Sequence, residues 1–442
     1  MIYGFLKQVV RVALFFFFRK IELTGKENIP SEGPVIFVAN HPNTLMDPLL
    51  VASLIPQRVG FLANASIFVN KFVSAIWRFF HVIPVYRRED VGNGEKPDNR
   101  KSFEKCHAYL AKKGNLLVFP EGTSHYELKL REIKTGTARI ALSFEALNGF
   151  AGNTNIVPIA LDYADAIHFR TVVSVTVCKS IKVADYQQQF ETDEQHAVVE
   201  LTEAIRKELA AIIPQTSGKE QELFLVKAHQ FYKTFYAPDE LGKEGPKEVL
   251  ELRTQISKAL QFIEIKNVAL YQDTQKKLLQ FSAILKEDKV DMAAVSNFFK
   301  GNQSLPKGLF FIVLFVAFFP FYVVGMLFNY IPYIIPSKLF KAMKLDIEYR
   351  SSVQMLIGLI VFPLYYALVI WLLGITNIWI VLLLLIVMPM TGYVSMFYYA
   401  AFNRFIKVMR IRFLMSDKRK TDLEMLVTDI MKNIEIARSQ LI

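Results

Sequence analysis

The chain has 442 residues, of which 52% are hydrophobic and 37 are phenylalanines, and its net charge is +11. This length predicts two or three structural parts rather than one domain, and the apolar composition is typical of a membrane protein. The positive charge favours anionic lipid headgroups or acidic cofactors as partners, whereas no sequence motif supports nucleic acid. The two cysteines, Cys106 and Cys178, have neither metal-ligand nor redox spacing. We therefore expect two packing residues in a reducing cytoplasmic setting.

Residues 2–18 form an apolar stretch that Lys7 and Arg11 interrupt, and Arg19 and Lys20 follow it. Two interior charges disfavour a membrane span, and the stretch lacks the small-residue cleavage site of a signal peptide. An amphipathic helix over residues 1–20 that lies in the membrane interface is predicted. The alternative is a helix that packs on the domain that follows.

Residues 21–182 alternate between short apolar runs and helical patterns, after turn signals up to Pro34. We predict strands at 34–39, 58–63, 82–86, 115–119, 155–161 and 171–179, and helices near 44–55, 66–80, 99–113 and 135–149. This alternation predicts an α/β domain with a largely parallel sheet.

Two of the predicted strands end in polar groups that suit an active site. The strand at 34–39 leads to His41 and Asp47, and the strand at 115–119 leads to Glu121. Side chains at the carboxyl ends of strands enter the ligand crevice of α/β folds. Histidine can take a proton from an alcohol near neutral pH, and Asp47 would orient the imidazole. The alcohol would belong to the substrate, because no Gly-x-Ser-x-Gly elbow accompanies the histidine; a purely structural hydrogen bond is the alternative.

Further polar residues near these strands are candidates for binding an anion. Arg87 and Arg88 follow the strand at 82–86, where guanidinium groups suit a phosphate, although a solvated turn also explains them. The hydroxyls of Thr123 and Ser124 can donate to phosphate oxygens. Lys134 precedes a predicted helix whose N-terminal amides would complete an anion site.

Four sequence blocks in this region resemble those of the glycerol-phosphate and lysophospholipid acyltransferase family, over about residues 20–180. The blocks are Asn40–Asp47, Val82–Arg88, Phe119–Ser124 and Ile156–Ala160, in the family's order. The resemblance implies a glycerol-phosphate acyltransferase-like α/β catalytic domain with His41 and Asp47 as the catalytic pair. It also implies an acyl-CoA or acyl carrier protein co-substrate, with no metal, redox cofactor or covalent intermediate.

The resemblance also assigns binding roles to single residues. Arg87, Glu121 and Gly122 take the places that bind the acceptor and its phosphate, and Pro158 in the fourth block would shape the acyl-donor pocket. A proline in a strand is equally explained by an edge position. His125 falls outside the third block, so we expect a surface residue.

One feature of the first block departs from the family pattern. Five residues separate His41 from Asp47, one more than is usual. The longer spacing resembles a branch that includes fungal enzymes acylating glycerol 3-phosphate or dihydroxyacetone phosphate, whereas family abundance favours lysophosphatidate as acceptor. A non-catalytic lipid-binding membrane protein on this fold and a lipid hydrolase are the other readings.

The remaining chain is predicted in three parts. Residues 183–305 read as a polar helical extension, 306–403 as a membrane region and 404–442 as a basic cytoplasmic tail. Within the membrane region, stretches near 355–373 and 378–399 have the length and apolarity of transmembrane helices.

Lysine and arginine flank the hairpin at 351–403 on both sides, which predicts that both flanks and the catalytic domain are cytoplasmic. The stretch at 309–335 would then have to enter the membrane and return as a re-entrant segment, with a single crossing as the alternative.

Overall fold

The computed structural model describes residues 2–86, 98–236, 245–301 and 305–441. The chain divides into two compact units. The first comprises Met1–Gln215, Gly245–Thr254 and Asp346–Ser352, and the second comprises Thr216–Glu244, Gln255–Leu345 and Val353–Ile442.

The first unit is built on one mixed sheet. Its strands are β1 (Lys20–Thr24), β2 (Val35–Ala39), β3 (Val59–Asn64), β4 (Val82–Val85), β5 (Asn115–Val118), β6 (Asn155–Tyr163), β7 (Val172–Val177) and β8 (Ile181–Lys182). The order across the sheet is β1-β7-β6-β2-β5-β3-β4, and β8 pairs with one end of β6. The predicted α/β class is confirmed, and the sheet is largely parallel, with β6 antiparallel to β7 and β8.

The central strands are buried on both faces, as expected for parallel strands covered by helices. Every residue of β2 is buried, from Val35 to Ala39. Alternate side chains point to opposite faces, so Ile36 and Val38 join a core cluster with Ala141 of one helix and Leu201 of another. A strand buried on both faces requires a continuous apolar run, and this run is why β2 could be predicted from the sequence.

Strand β6 lies inside the sheet, between β2 and β7. Pro158, which pairs with Val38 of β2, is therefore not at an edge, and the edge explanation of this proline is wrong. Its carbonyl still accepts a hydrogen bond from the Cys178 amide at 2.9 Å. Because proline lacks only the N–H, an interior position costs one ladder bond and no acceptor.

Helices of the first unit connect and cover the strands. They are α1 (Ile2–Phe17), α2 (Met46–Leu54), α3 (Lys71–Phe79), α4 (Arg100–Leu110), α5 (Gly136–Leu147), α6 (Gln187–Thr192) and α7 (Glu194–Ile212). Both cysteines are buried and unpaired, as predicted for packing residues.

Helix α1 packs on the domain with one face and exposes the other. Leu14 and Phe17 are buried, whereas Phe5 and Phe15 are about 70% exposed. The two charges that interrupt the apolar stretch face the end of α2, where Lys7 donates to the Ile55 carbonyl and Arg11 donates to the Ser53 carbonyl at 2.8 Å. Cations at a helix C-terminus satisfy its free carbonyls. The contacts fit the alternative of a packed helix, and the exposed aromatic face fits the interfacial one.

The second unit is helical. It contains α8 (Lys219–Phe235), most of α9 (Pro246–Lys266), α10 (Val268–Glu287), α11 (Met292–Phe299), α12 (Leu305–Met343), most of α13 (Arg350–Leu372), α14 (Ile378–Phe413) and α15 (Asp417–Leu441). The segments Gly308–Met343, Ile347–Leu372 and Ile378–Phe413 are long and apolar enough to cross a membrane.

Helix α12 is continuous, so the chain does not turn back within 309–335 as a re-entrant segment was expected to do, and the sidedness of this segment stays a prediction. Pro320 and Pro332 lie inside the helix rather than at turns. Gly325 is a point of close approach, since a Cβ atom there would lie 2.0 Å from the Ser395 hydroxyl of α14. Small residues allow such close packing between apolar helices. In the sequence alone, Gly325 had indicated a turn.

The region predicted as a basic tail is folded. Helix α14 continues to Phe413, and α15 follows after three residues. Leu423 and Ile430 of α15 are buried in a cluster with Phe231 and Phe281 of α8 and α10. Two of the cations that suggested a tail pair with carboxylates of other helices, Lys407 with Asp291 and Arg419 with Asp288. Composition alone did not indicate the apolar face of α15.

Candidate active site

The candidate site lies where β2 and β5, two neighbouring parallel strands, both end. Strand β2 ends at Ala39 and leads to His41, and a turn then brings Asp47 into the first turn of α2. The Nδ1 atom of His41 lies 2.8 Å from Oδ2 of Asp47. The five-residue spacing is therefore compatible with a direct contact between the two side chains.

Asp47 is fully buried and is held by three groups. Besides His41, the Asn43 amide donates to Oδ2 at 2.7 Å, and the Tyr163 hydroxyl donates to Oδ1 at 2.7 Å. A buried carboxylate is stable only when its oxygens are hydrogen-bonded. These bonds fix Asp47 and, through it, the ring of His41, whose Nε2 is then the nitrogen that remains for a substrate proton.

Strand β5 supplies the second side of the site. The ring of Phe119 stacks on His41 with 4.1 Å between centroids. Glu121, which is 7% exposed, accepts a hydrogen bond from the His41 amide at 3.2 Å. Burial raises the pKa of the Glu121 carboxyl to about 7, against a smaller opposing effect of this hydrogen bond. The Glu121 carboxyl is therefore partly protonated near neutral pH. It contacts the backbone amide of His41 and not the imidazole ring.

The turn after Glu121 brings a cation to the site. Gly122 has φ of +79°, a left-handed conformation that favours glycine, and a Cβ atom there would lie 2.7 Å from Nζ of Lys134. The Lys134 amide donates to the Pro120 carbonyl at 3.0 Å, and this bond holds the backbone of Lys134 beside the turn. Lys134, a candidate anion ligand in the sequence, thus lies against the turn that follows Glu121.

The two hydroxyls of the third block have defined partners. Ser124 accepts a hydrogen bond from the Thr44 amide at 2.8 Å, and Thr123 contacts Nε2 of His125 at 3.0 Å. His125 is half-buried, and its amide donates to the His41 carbonyl at 3.1 Å. His125 thus keeps part of its surface exposed, while its backbone closes the turn beside His41.

Other predicted site residues lie apart from this cluster. Arg87 and Arg88 are outside the described residues. Pro158 lies in the middle of β6, buried beside Val38. In the part of the chain that the structure describes, no group of histidine, cysteine and carboxylate side chains suits a metal ion.

Two residues at the site, Asn40 and Tyr163, have a role that the sequence did not predict. Asn40 exchanges two hydrogen bonds with the backbone of Leu161, at 2.9 and 2.7 Å, and so extends the β2–β6 pairing past the end of the strand. Tyr163 lies two residues beyond the predicted end of β6. The only available signal was the polar ending of an apolar strand, which does not identify a partner 116 residues away.

Residues 20–162 match the model of the Acyltransferase family. The chain is 28% identical over 145 residues to a chloroplastic 1-acyl-sn-glycerol-3-phosphate acyltransferase of Arabidopsis thaliana, covering 33% of this chain and 36% of that protein. It is 23% identical over 358 residues to glycerol-3-phosphate O-acyltransferase 1 of Saccharomyces cerevisiae, covering 61% of this chain and 46% of that protein.

The chain thus spans less than half the length of either of these relatives. Among solved structures, the crystal structure of PlsC, the 1-acyl-sn-glycerophosphate acyltransferase of Thermotoga maritima, is 18% identical with a TM-score of 0.34. That match covers 46% of this chain and 78% of the other.

Proposed function

From the match of residues 20–162 to the Acyltransferase family, we propose that the chain is a membrane-bound O-acyltransferase of phospholipid synthesis. The reaction moves a fatty acyl group from acyl-CoA or acyl carrier protein to the hydroxyl of a glycerol-phosphate acceptor. The observation that carries the proposal is the contact of His41 with a fully buried Asp47 at the carboxyl end of β2. A histidine oriented in this way is a general base for an alcohol.

The proposed mechanism is a direct transfer. Nε2 of His41 takes the proton of the acceptor hydroxyl while its oxygen bonds to the carbonyl carbon of the thioester. The carbon–sulfur bond then breaks, and the leaving thiolate receives the proton from the imidazolium. Asp47 holds Nδ1–H of His41 throughout and stabilises the imidazolium, as the third group of a catalytic triad does. No enzyme residue becomes acylated.

The proposed phosphate site is the turn after β5. Lys134 brings its ammonium to Gly122, and the hydroxyls of Thr123 and Ser124 belong to the same turn. Helix α5 begins at Gly136, close to Lys134 in sequence, and helix N-termini favour anions. Arg87 and Arg88 are proposed as further phosphate ligands on the sequence resemblance alone.

Glu121 has a different proposed task from the cations. A charged carboxylate beside the phosphate would repel it, but the raised pKa of Glu121 leaves much of this group neutral near neutral pH. Its contact is with the His41 amide. Glu121 is therefore proposed to hold the backbone that carries the base.

Membrane attachment is proposed from the three long apolar helices and the exposed aromatic face of α1. A lipid acceptor reaches a membrane-bound enzyme by lateral diffusion, whereas glycerol 3-phosphate arrives from water. The catalytic domain is proposed to face the cytoplasm, where acyl-CoA and acyl carrier protein occur.

Acyl transfer by the purified full chain tests the proposal. Labelled acyl-CoA, and acyl carrier protein in a second arm, are offered with glycerol 3-phosphate, dihydroxyacetone phosphate and lysophosphatidate side by side. Product from one of these acceptors that disappears in H41A supports the proposal and identifies the acceptor. Release of free fatty acid at the same rate with and without acceptors would instead indicate a hydrolase, and no turnover with either donor would favour a non-catalytic protein.

A further inference from the structure

The turn before α13 belongs to the same compact unit as the sheet, although it lies between two long apolar helices. This segment, Asp346–Ser352, is here named the clamp segment; it contains a 3-10 turn at Ile347–Tyr349 and the first residues of α13. Ser351 is 1% exposed and Ser352 is 0% exposed. Buried hydroxyls need partners. Ser352 donates to the Tyr349 carbonyl within the segment, whereas the partner of Ser351 lies in the loop between His41 and Asp47.

A chain of hydrogen bonds joins Ser351 to the candidate catalytic pair. The Ser351 hydroxyl donates to Oδ1 of Asn43 at 2.6 Å, and the Asn43 amide donates to Oδ2 of Asp47 at 2.7 Å. The side-chain amide of Asn43 also donates to the Ala166 carbonyl at 2.8 Å. Asn43 is thus held on two sides, and its backbone carries one of the bonds that fix Asp47.

Thr44 makes the second link and is locally strained. Its φ is +31°, a conformation that β-branched residues rarely adopt. The Thr44 hydroxyl donates to the Glu348 carbonyl at 2.9 Å, and its amide donates to Ser124 at 2.8 Å. Such a conformation persists only where the surroundings over-determine it, and here the clamp segment supplies one of the two constraints.

We propose that the clamp segment is a positioning element of the active site, in which Ser351 and Thr44 fix the loop that sets the His41–Asp47 geometry. This inference rests on the proposed function for its catalytic consequence. The clamp also accounts for the five-residue spacing between His41 and Asp47. The longer loop brings Asn43 and Thr44 into contact with the clamp segment, about 300 residues downstream. The matched family region ends at residue 162, so this element is supplied from outside it.

Single hydroxyl deletions test the clamp without removing a catalytic group. S351A loses the bond to Asn43, and T44V loses the bond to Glu348 together with the 3.5 Å contact to Ser352. T44S keeps the Thr44 hydroxyl, and S53A removes a buried hydroxyl that donates to the Leu50 carbonyl instead. In S351A and T44V we expect kcat to fall about tenfold or more while KM for both substrates stays within about twofold, since misplaced catalytic groups slow turnover without weakening binding. T44S and S53A should retain the parent kcat within about twofold.

Hydrogen–deuterium exchange of the full chain tests the same contacts independently of enzymatic activity. The amides of Asn43 and Thr44 should exchange about tenfold faster in S351A and T44V than in the parent and S53A. Unchanged kcat and unchanged exchange in S351A and T44V, or equal losses in T44S and T44V, would overturn the clamp. An inactive parent with faster exchange in S351A would refute the proposed function and leave the clamp as a structural feature. If the thermal midpoints of S351A and T44V equal that of S53A, their loss of kcat reflects misplaced catalytic groups and not misfolding.

Discussion

Single residues decide whether His41 can act as a base. Asp47 has no solvent exposure, so each of its hydrogen bonds replaces a bond to water that burial removed. Two of these bonds come from the Asn43 amide and the Tyr163 hydroxyl. The polar residues of the first block therefore act together through one carboxylate.

Replacing Tyr163 by phenylalanine tests this arrangement. A hydrogen bond to a charged group contributes about 1.5–3 kcal/mol, so Y163F should lower kcat about tenfold or more if Asp47 orients the base. KM should change little, because Tyr163 lies behind Asp47 rather than at the substrate. Steady-state kinetics measure both values.

Y236F is the matched control, because the Tyr236 hydroxyl bonds to the Met431 carbonyl in the other compact unit. An equal loss of kcat in Y163F and Y236F would show a general effect on folding. Full activity of Y163F would show that the Tyr163 hydroxyl does not contribute to the orientation of Asp47 and His41.

Glu121 should make stability depend on pH. Its pKa is raised from 4.5 to about 7 by burial, so the folded protein binds more protons than the unfolded chain between these values. Stability is then greatest at the acid side of this range and falls as the pH rises through it, because the carboxylate must ionise while buried. E121Q keeps an acceptor for the His41 amide and should lose this part of the pH dependence.

Thermal midpoints of the two proteins in detergent, from about pH 5 to about pH 8, measure the difference. The midpoint of the parent should decline relative to that of E121Q across this range. A constant difference between the two curves would show that Glu121 does not titrate there.

At the scale of elements, the predicted strands of the sheet could be located because their apolar runs are continuous and end in polar or turn-forming residues. The observed β2 and β5 begin or end within one residue of the predicted bounds. Strand β1 was missed because Lys20–Thr24 is short and partly charged, and it is recognisable only by its pairing with β7. Composition identifies apolar strands, including β4 at one edge of the sheet. A short, partly charged strand such as β1 is defined by its partner far along the chain.

The error in α12 has a similar origin. Proline and glycine both indicate turns in a sequence, but glycine also permits close packing between apolar helices, and proline is tolerated within such helices. Asn329 of α12 donates to the Met388 carbonyl of α14 at 3.0 Å and accepts from the Tyr366 hydroxyl of α13 at 2.6 Å. These polar contacts join three apolar helices, and no local sequence signal predicts their pairing.

Substituting Gly325 tests the contact between α12 and α14. A Cβ atom would lie 2.2 Å from the Thr391 carbonyl, which is backbone and cannot rotate away. G325A should therefore destabilise the helix pair by about 1–3 kcal/mol, the usual cost of overpacking. In G358A the new Cβ atom meets nothing nearer than Phe362 at 4.0 Å, so this variant should be neutral or stabilised. Thermal unfolding in detergent compares the two, and an unchanged midpoint in G325A would contradict the packing.

At the scale of the whole molecule, α12 and α14 run antiparallel within the second unit. Phe311 contacts Phe405 near one end of the pair, and Asn329 contacts Met388 further along. Lys407 of α14 also pairs with Asp291 of α11 at 2.7 Å. The start of α12 and the end of α14 therefore lie at the same end of the pair.

Cysteine labelling tests the sidedness that this implies. K300C and S416C, at exposed positions that flank the pair, should react with a membrane-impermeant maleimide from the same side of sealed vesicles. Background labelling should be low, because Cys106 and Cys178 are buried and burial raises the pKa of both thiols to about 12. Labelling of the two positions from opposite sides would contradict the antiparallel pair.

A second pair tests the clamp segment at the same scale. Asp346 and Glu32 are both exposed residues of the first unit. D346C and E32C should react from one side, and this side should be cytoplasmic if the catalytic domain uses cytoplasmic acyl donors. The sequence predicted the charge of this loop but not its contact with the catalytic loop, since the two are 308 residues apart.

The most direct test of the account is the turnover of H41A and D47N with the acceptor that the parent enzyme uses. General-base catalysis typically contributes about 10²–10⁴-fold, so kcat of H41A should fall by this factor, with a smaller or equal loss in D47N. The double variant should lose no more than H41A alone, because Asp47 acts through the histidine. Acyl transfer by H41A at the parent rate would contradict the proposed role of His41, whatever the acceptor.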